Sequence, residues 1–277
     1  MQGASRNSLA ELRETLGGRS QASSDDLQQL SEALFGIVTL FATQGSLRRT
    51  LSDPALEVDR KVAFVDRLFA NRVPEPALEL LRQAGRLRWS EPRDIVDALE
   101  ALAVEAALQR AEADGVLDEV EDELFRFERI LDGQPELRTA LTDRNLPADR
   151  KSRLLHRLLD GKVAAVTQSL IERAVLAPRG RTIERVLDEF TELAAKRRER
   201  LLARVTTAVP LTEAQQTALA AALQREFGHD VRLQVVIDPA LIGGLTVRIG
   251  DELIDGSVLR HLGAARRRLT GGSGPRR

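Results

Sequence analysis

Along the first two hundred residues, apolar positions recur every three to four residues, the spacing that lines them up on one face of an α-helix. Leu9, Leu12 and Leu16 predict a first helix ended by Gly17-Gly18, and Leu27, Leu30, Leu34, Ile37, Val38 and Phe41 predict a second, over about 25–42. Ser24 or Asp25 can cap that second helix, because a short polar oxygen satisfies a free N–H of the first turn. Shorter helices are expected over 46–51, 57–70 and 75–84, punctuated by Asp53-Pro54, Pro74 and Pro76. From Asp94 the helical pattern runs through Ile95, Leu99, Leu102, Ala106 and Leu108 to about Ala113, with no glycine or proline before Gly115. That stretch predicts one uninterrupted helix. Further helices are expected over 116–131, 135–141, 148–159, 163–176 and 182–200.

After residue 200 the period changes to two. Leu202, Arg204, Thr206 and Ala208 alternate with Ala203, Val205, Thr207 and Val209, which predicts a strand closed by Pro210. Thr212 with Gln215 makes a capping box for a helix bearing Leu219, Leu223 and Phe227, with Gly228 as its stop. Val231, Leu233, Val235 and Ile237 predict a second strand, ended by Asp238-Pro239. Gly243-Gly244 supplies the freedom for a reversal into Leu245, Val247 and Ile249, so a hairpin is expected there. A further turn is expected at Gly250-Asp251. Asp255 or Ser257 can then cap a last helix carrying Val258, Leu259 and Leu262.

The helical part repeats itself at an offset of ninety residues. Leu47-Arg48, Leu51, Asp53, Leu56, Asp59-Arg60-Lys61 and Arg67-Leu68 recur as Leu137-Arg138, Leu141, Asp143, Leu146, Asp149-Arg150-Lys151 and Arg157-Leu158. Ten of the twenty-three positions from 46 to 68 are thus identical to their counterparts, and Phe64, Phe69 and Leu80-Leu81 answer to Leu154, Leu159 and Leu170-Ile171. Unrelated amphipathic helices share far fewer, and they do not share a charged triplet in register. The fold class expected is mainly α, with two tandem helical bundles followed by a small C-terminal α/β domain. The divisions are 1–100 for the first bundle, 101–200 for the second and 201–270 for the α/β domain, with a Gly-rich tail over 271–277 expected to be disordered. No linker separates the bundles, so the helix from Asp94 is expected to serve as the last of one and the first of the next.

Composition narrows the chemistry. Of 277 residues, 41 are Lys or Arg and 42 are Asp or Glu, a net charge of -1 that argues against nucleic acid as a partner. The chain has no cysteine, which removes disulfides, thiolate metal sites and cysteine nucleophiles. No apolar run reaches the roughly 18–20 residues that cross a bilayer, so no direct membrane insertion is expected. His156, His229 and His261 each stand alone, without a second ligand at helical spacing, and no metal site is expected of them. Gly243-Gly244 is followed by a strand rather than by a Lys-Ser/Thr and a helix, which argues against a phosphate cradle. Glu121-Asp122-Glu123, with Arg126 and Arg129 nearby, read as a solvated face. Lys196–Arg198 and Arg266–Arg268 read as cations at helix C-termini, and Trp89 as a packing anchor. No catalytic residue and no cofactor is expected.

One stretch is specific to a family. The run DPALIGGLTVRIGDELIDGSV, 238–258, resembles the C-terminal signature of the delta subunit of bacterial F-type ATP synthase, called the oligomycin-sensitivity-conferring protein in mitochondria. The matching residues are Asp238, Pro239, Ile242, Gly243, Gly244, Gly250, Asp251, Asp255 and Ser257, with Ile237 standing where the family usually has valine. The segment 106–131 resembles the family's opening, so the first hundred residues are an extra bundle, similar to actinobacterial members. What the resemblance implies is a stator. It would be a non-catalytic, peripheral subunit on the cytoplasmic face of the plasma membrane, joining the alpha subunits of the catalytic head to the b-type peripheral-stalk subunit. An extra bundle would lengthen or thicken that stator. A generic helical adaptor outside energy conversion is the competing reading, and a nucleotide-dependent enzyme a third that rests on the double glycine alone.

Overall fold

The computed structural model describes residues 1, 3–18, 22–143, 145–200, 202–227, 231–238, 241, 244–249 and 252–255. Its helical part runs α1 (Gly3–Gly17), α2 (Ser24–Thr43), α3 (Gly45–Ser52), α4 (Val58–Phe69), α5 (Glu75–Arg86) and α6 (Asp94–Ala113). It continues with α7 (Leu117–Gly133), α8 (Pro135–Thr142), α9 (Ala148–Leu159), α10 (Ala165–Leu176) and α11 (Ile183–Arg200). The predicted order holds throughout, with ends shifted by a residue or two. The cap of α2 is neither Ser24 nor Asp25 but Ser23. Its hydroxyl accepts from Asp26 N at 3.2 Å while the Asp26 carboxylate accepts from Ser23 N at 3.3 Å, a reciprocal box that needs an acid three residues on.

The ninety-residue repeat extends to individual backbone contacts. After α3, the Asp53 carboxylate accepts from Ala55 N at 2.9 Å; after α8, Asp143 accepts from Asn145 N at 2.8 Å. Both aspartates close the same turn. Past α4 the chain turns through Asn71 at φ 59°, and past α9 through Gly161 at φ 67°. The left-handed conformation thus recurs where one copy has glycine and the other asparagine, the residues that tolerate it best. Buried side chains match as well: Leu51 with Leu141, Val65 with Leu155, Leu80-Leu81 with Leu170-Ile171.

α6 lies at the centre. Ile95, Val96, Ala98, Leu102, Ala103, Val104 and Leu108 are all buried, and together they point to all sides of the helix, so packed neighbours surround it. α2 packs along it, with Ser31 Oγ donating to Ala103 O at 2.8 Å and Ser24 Oγ to Asp114 Oδ1 at 2.6 Å. The division set between residues 100 and 101 falls inside this continuous helix. Met1–Ala194 form one compact unit and Ala195–Arg277 a second.

In the second unit, β1 (Leu202–Thr207), α12 (Glu213–Phe227), β2 (Arg232–Ile237), β3 (Leu245–Ile249) and β4 (Glu252–Asp255) build a sheet of order β2-β1-β3-β4. The capping box before α12 is present: Thr212 N donates to Gln215 Oε1 at 2.9 Å, and Gln215 N to Thr212 Oγ1 at 3.3 Å. The hairpin expected between β2 and β3 does not form. β1 and β2 are joined by a helix and pair in parallel, so β1 takes the place beside β2 and β3 pairs antiparallel on its other edge. The hairpin is β3–β4, with Val247 opposite Ile254. Ala203, Val205, Val231, Val247 and Ile249 bury one face with Leu223 of α12. Ile237, predicted inward, is 51% exposed at the end of its strand. The stop at Gly228, the turn at Gly250-Asp251, the helix after Asp255 and the tail 271–277 lie outside the described residues.

Candidate interaction surfaces

The helical unit is braced by an ion network that no spacing along the chain announces. Between α10 and α11 the chain passes Arg179 at φ 53° and Gly180 at φ 81°, a tight turn that carries two arginines inward. Arg179 Nε donates to Glu100 Oε1 at 2.9 Å and Nη1 to Asp97 Oδ1 at 2.7 Å, both on α6. Arg181 Nη2 reaches the same Glu100 at 2.7 Å, and Arg185 Nε reaches Glu189 Oε1 at 2.9 Å. Burial works against the Arg179 charge, but the hydrogen bonds and attraction of Glu100 and Asp97 outweigh it and hold its pKa above the ordinary value. Sequence periodicity could not find this cluster, because its partners lie about eighty residues apart.

Shallow clefts open on the unit among the described residues. One, of about 400 Å³, lies where the end of α6, the start of α7 and the start of α10 meet, lined by Arg110, Asp114, Glu119, Lys162 and Val166. Glu123 belongs to this corner rather than to a solvated face. Its carboxylate accepts from Ala164 N at 3.0 Å and from Thr167 Oγ1 at 2.5 Å, capping α10 from another helix. Another cleft, of about 350 Å³, lies between α6 and α11 beside Arg181, Glu189 and Phe190. Among the described residues, no group of three His, Asp or Glu side chains converges to hold a metal. His156 sits between Gln168 (2.6 Å) and Glu172 (3.4 Å), and Trp89 is buried with its Nε1 donating to Ala84 O at 2.8 Å.

The signature residues are placed only in part. Asp238 N donates to Thr207 O at 2.9 Å, extending the β1–β2 ladder by one bond, and Leu241 N donates to Asp238 O at 3.1 Å. Gly244 holds φ 81°, a conformation that any side chain would strain, just before β3 begins. Asp255 ends β4 opposite Thr246, and the helix it is expected to cap lies outside the described residues. Pro239, Ile242, Gly243, Gly250, Asp251 and Ser257 lie outside the described residues, as do His229, His261 and Arg266–Arg268.

Taken with the fold, these features define a class: a helical brace with a small α/β domain, whose polar groups are spent on joining helices. The family model described as ATP synthase delta (OSCP) subunit matches residues 104–269. The ATP synthase subunit delta of Streptomyces avermitilis is 45% identical over 96% of this chain and 98% of that protein. Those of Acidothermus cellulolyticus and Streptomyces griseus are 46% and 45% identical, over 97% and 98% of this chain. The chain therefore belongs to the ATP synthase delta (OSCP) subunit family, as a stator subunit of the peripheral stalk. These relatives extend across the amino-terminal hundred residues that the family model leaves unmatched, so the extra helices are shared with them. Among the described residues no single helix is long and apolar enough to cross a membrane; α2 and α3 would qualify only as a pair, bent by 101°.

Proposed function

We propose that the helical unit grips the alpha subunits of the catalytic head, that the α/β unit holds the end of the b-type stalk subunit, and that the chain makes and breaks no bond itself. The observation that carries this reading is the shared α6, which fuses eleven helices into one compact body that carries a separate α/β unit on the same chain. Close-packed helices deform little under load, and two sites on one chain raise the effective concentration of the second contact. A body of this kind resists torque between head and stalk. Attachment through these partners places the chain on the cytoplasmic face of the membrane, without lipid insertion and without nucleic acid. The run from Asp238 to Ser257, with Pro239, Ile242, Gly243, Gly244, Gly250, Asp251 and Asp255, then serves to shape the α/β unit rather than to bind a cofactor.

The test is retention of purified alpha and b-type subunits by the immobilised full-length chain, each offered alone and then together. Both are expected to be held, and holding neither overturns the reading. Deletion of residues 1–90 would ask what the extra helices add, but it strips α2 from α6 and leaves Ile95, Leu99 and Leu102 in water. Point variants on the intact chain are the cleaner probe.

A further inference from the structure

We propose that His156 and Glu172 form a pH-gated clasp between α9 and α10, closed while the imidazole carries a second proton and loosened once that proton leaves. The repeat supplies the contrast. In the first copy, α4 and α5 are clasped by Asp66 and Arg82: Arg82 Nε donates to Asp66 Oδ1 at 2.6 Å, and Nη1 donates to Glu75 Oε1 at 2.6 Å. Ninety residues on, Asp66 is replaced by His156 and Arg82 by Glu172. The pair has exchanged its signs, and His156 Nε2 lies 3.4 Å from Glu172 Oε1. An aspartate–arginine pair keeps both charges throughout the neutral range. A histidine gains or loses its charge between about pH 5 and 8, so the second copy has a gated contact where the first has a permanent one.

The neighbours of the ring define its two states. Gln168, one turn before Glu172 on α10, places its Nε2 2.6 Å from His156 Nδ1. The amide N–H donates, so Nδ1 accepts, and the neutral ring carries its hydrogen on Nε2, towards Glu172. A second proton goes onto Nδ1. Gln168 then has to turn its amide over and offer Oε1, while the contact to Glu172 becomes a charged pair. Glu172 is held ready for it, because Ser152 Oγ of α9 donates to Glu172 Oε1 at a position where the first copy has Val62. The other charges near the ring keep their signs across this range. On α9 and just past it they are Arg153, bound to Asp149 at 2.9 Å, with Arg157 and Asp160. On α10 it is Arg173, whose guanidinium lies 5.0 Å from the Phe35 ring centre. Among the described elements α9 packs chiefly on α10, whereas α10 also packs on α6 and α7. Loosening the clasp therefore frees the α9 edge and leaves α10 in place.

The experiment follows amide exchange of the full-length chain at about pH 5.5 and about pH 8, on either side of the imidazole transition, with rates corrected for the intrinsic pH dependence of exchange. α4 is the internal control, since its clasp does not titrate there. The His156 and Glu172 side chains are 54% and 25% exposed, so the pair is worth what a partly exposed ion pair is worth. Protection of α9 is expected to be about two- to fivefold higher at the lower pH, with α4 unchanged. Glu172→Gln should abolish the difference. His156→Asp combined with Glu172→Arg, which restores the residues of the first copy, should give α9 the flat profile of α4. Nitrogen NMR of histidine-labelled protein at the higher pH should show the hydrogen of His156 on Nε2. An α9 that responds to pH no more than α4 overturns the proposal, as does a response that survives Glu172→Gln or a neutral ring with its hydrogen on Nδ1.

Discussion

Arg179 and Glu100 stand 79 residues apart in sequence and form a buried ion pair, with their side chains 8% and 9% exposed. The pair fastens the turn after α10 to the middle of α6. Arg179→Ala leaves Glu100 held by Arg181 alone and takes the donor from Asp97, and losing hydrogen bonds to a charged group of this kind costs about 1.5–3 kcal/mol. Arg179→Ala is expected to lower the thermal midpoint markedly. Arg179→Lys should recover only part of the loss, because an ammonium cannot reproduce the forked donation to both carboxylates. Differential scanning calorimetry of the three proteins checks both statements.

Gly36 occupies the middle of α2, is exposed, and a methyl group built there meets nothing within 4 Å. Its counterpart in the second copy is Arg126. Gly36→Ala should therefore stabilise the protein by about 1 kcal/mol, through the lower backbone entropy of the unfolded chain. A denaturant midpoint that falls instead would show that α2 needs its glycine for a reason other than space.

Leu102 is fully buried on α6. Leu102→Ala is expected to cost about 2–5 kcal/mol, and the loss should be felt by both copies because one helix serves them. Trp89 fluorescence follows the first copy, and amide exchange of α9 and α10 follows the second. The two are expected to report the same transition in the wild type and the variant. Separate transitions would mean that the copies unfold independently.

Glu128 has its folded pKa raised above the ordinary 4.5, by burial first and by Asp188, Asp132 and Glu184 next. A raised carboxyl pKa means that the folded state holds the proton more tightly than the unfolded chain. Its favourable contribution is present below the ordinary pKa and is lost as the pH rises through the folded value. Glu128→Gln should therefore raise the melting temperature at pH 7, and the difference from wild type should vanish towards pH 4. A stabilisation that stays constant across that range would point to packing rather than charge.

Much of the fold was legible because it is local. Leu99, Leu102 and Ala106 announced a continuous helix through the middle of the chain, and the Asp-Arg-Lys triplets announced the repeat in register. Spacing alone does not single out Ser23 as the cap of α2, because three polar residues in a row can each play that part and only the carboxylate of Asp26 selects among them. The three-residue acidic run around Glu123 has the pattern of a solvated surface. Glu123 caps α10 only because α7 and α10 pack side by side.

The sequence by itself determined the helices, the duplication, the change to strands after residue 200 and the family, since each is written in spacings of a few residues or in a self-match along the chain. The tertiary structure alone decided that β1 separates β2 from β3, that Arg179 and Arg181 turn inward onto Glu100, and that Phe35 is covered while Phe125, its counterpart ninety residues on, is left open. Those outcomes depend on which distant surfaces meet, and backbone periodicity carries no information about that.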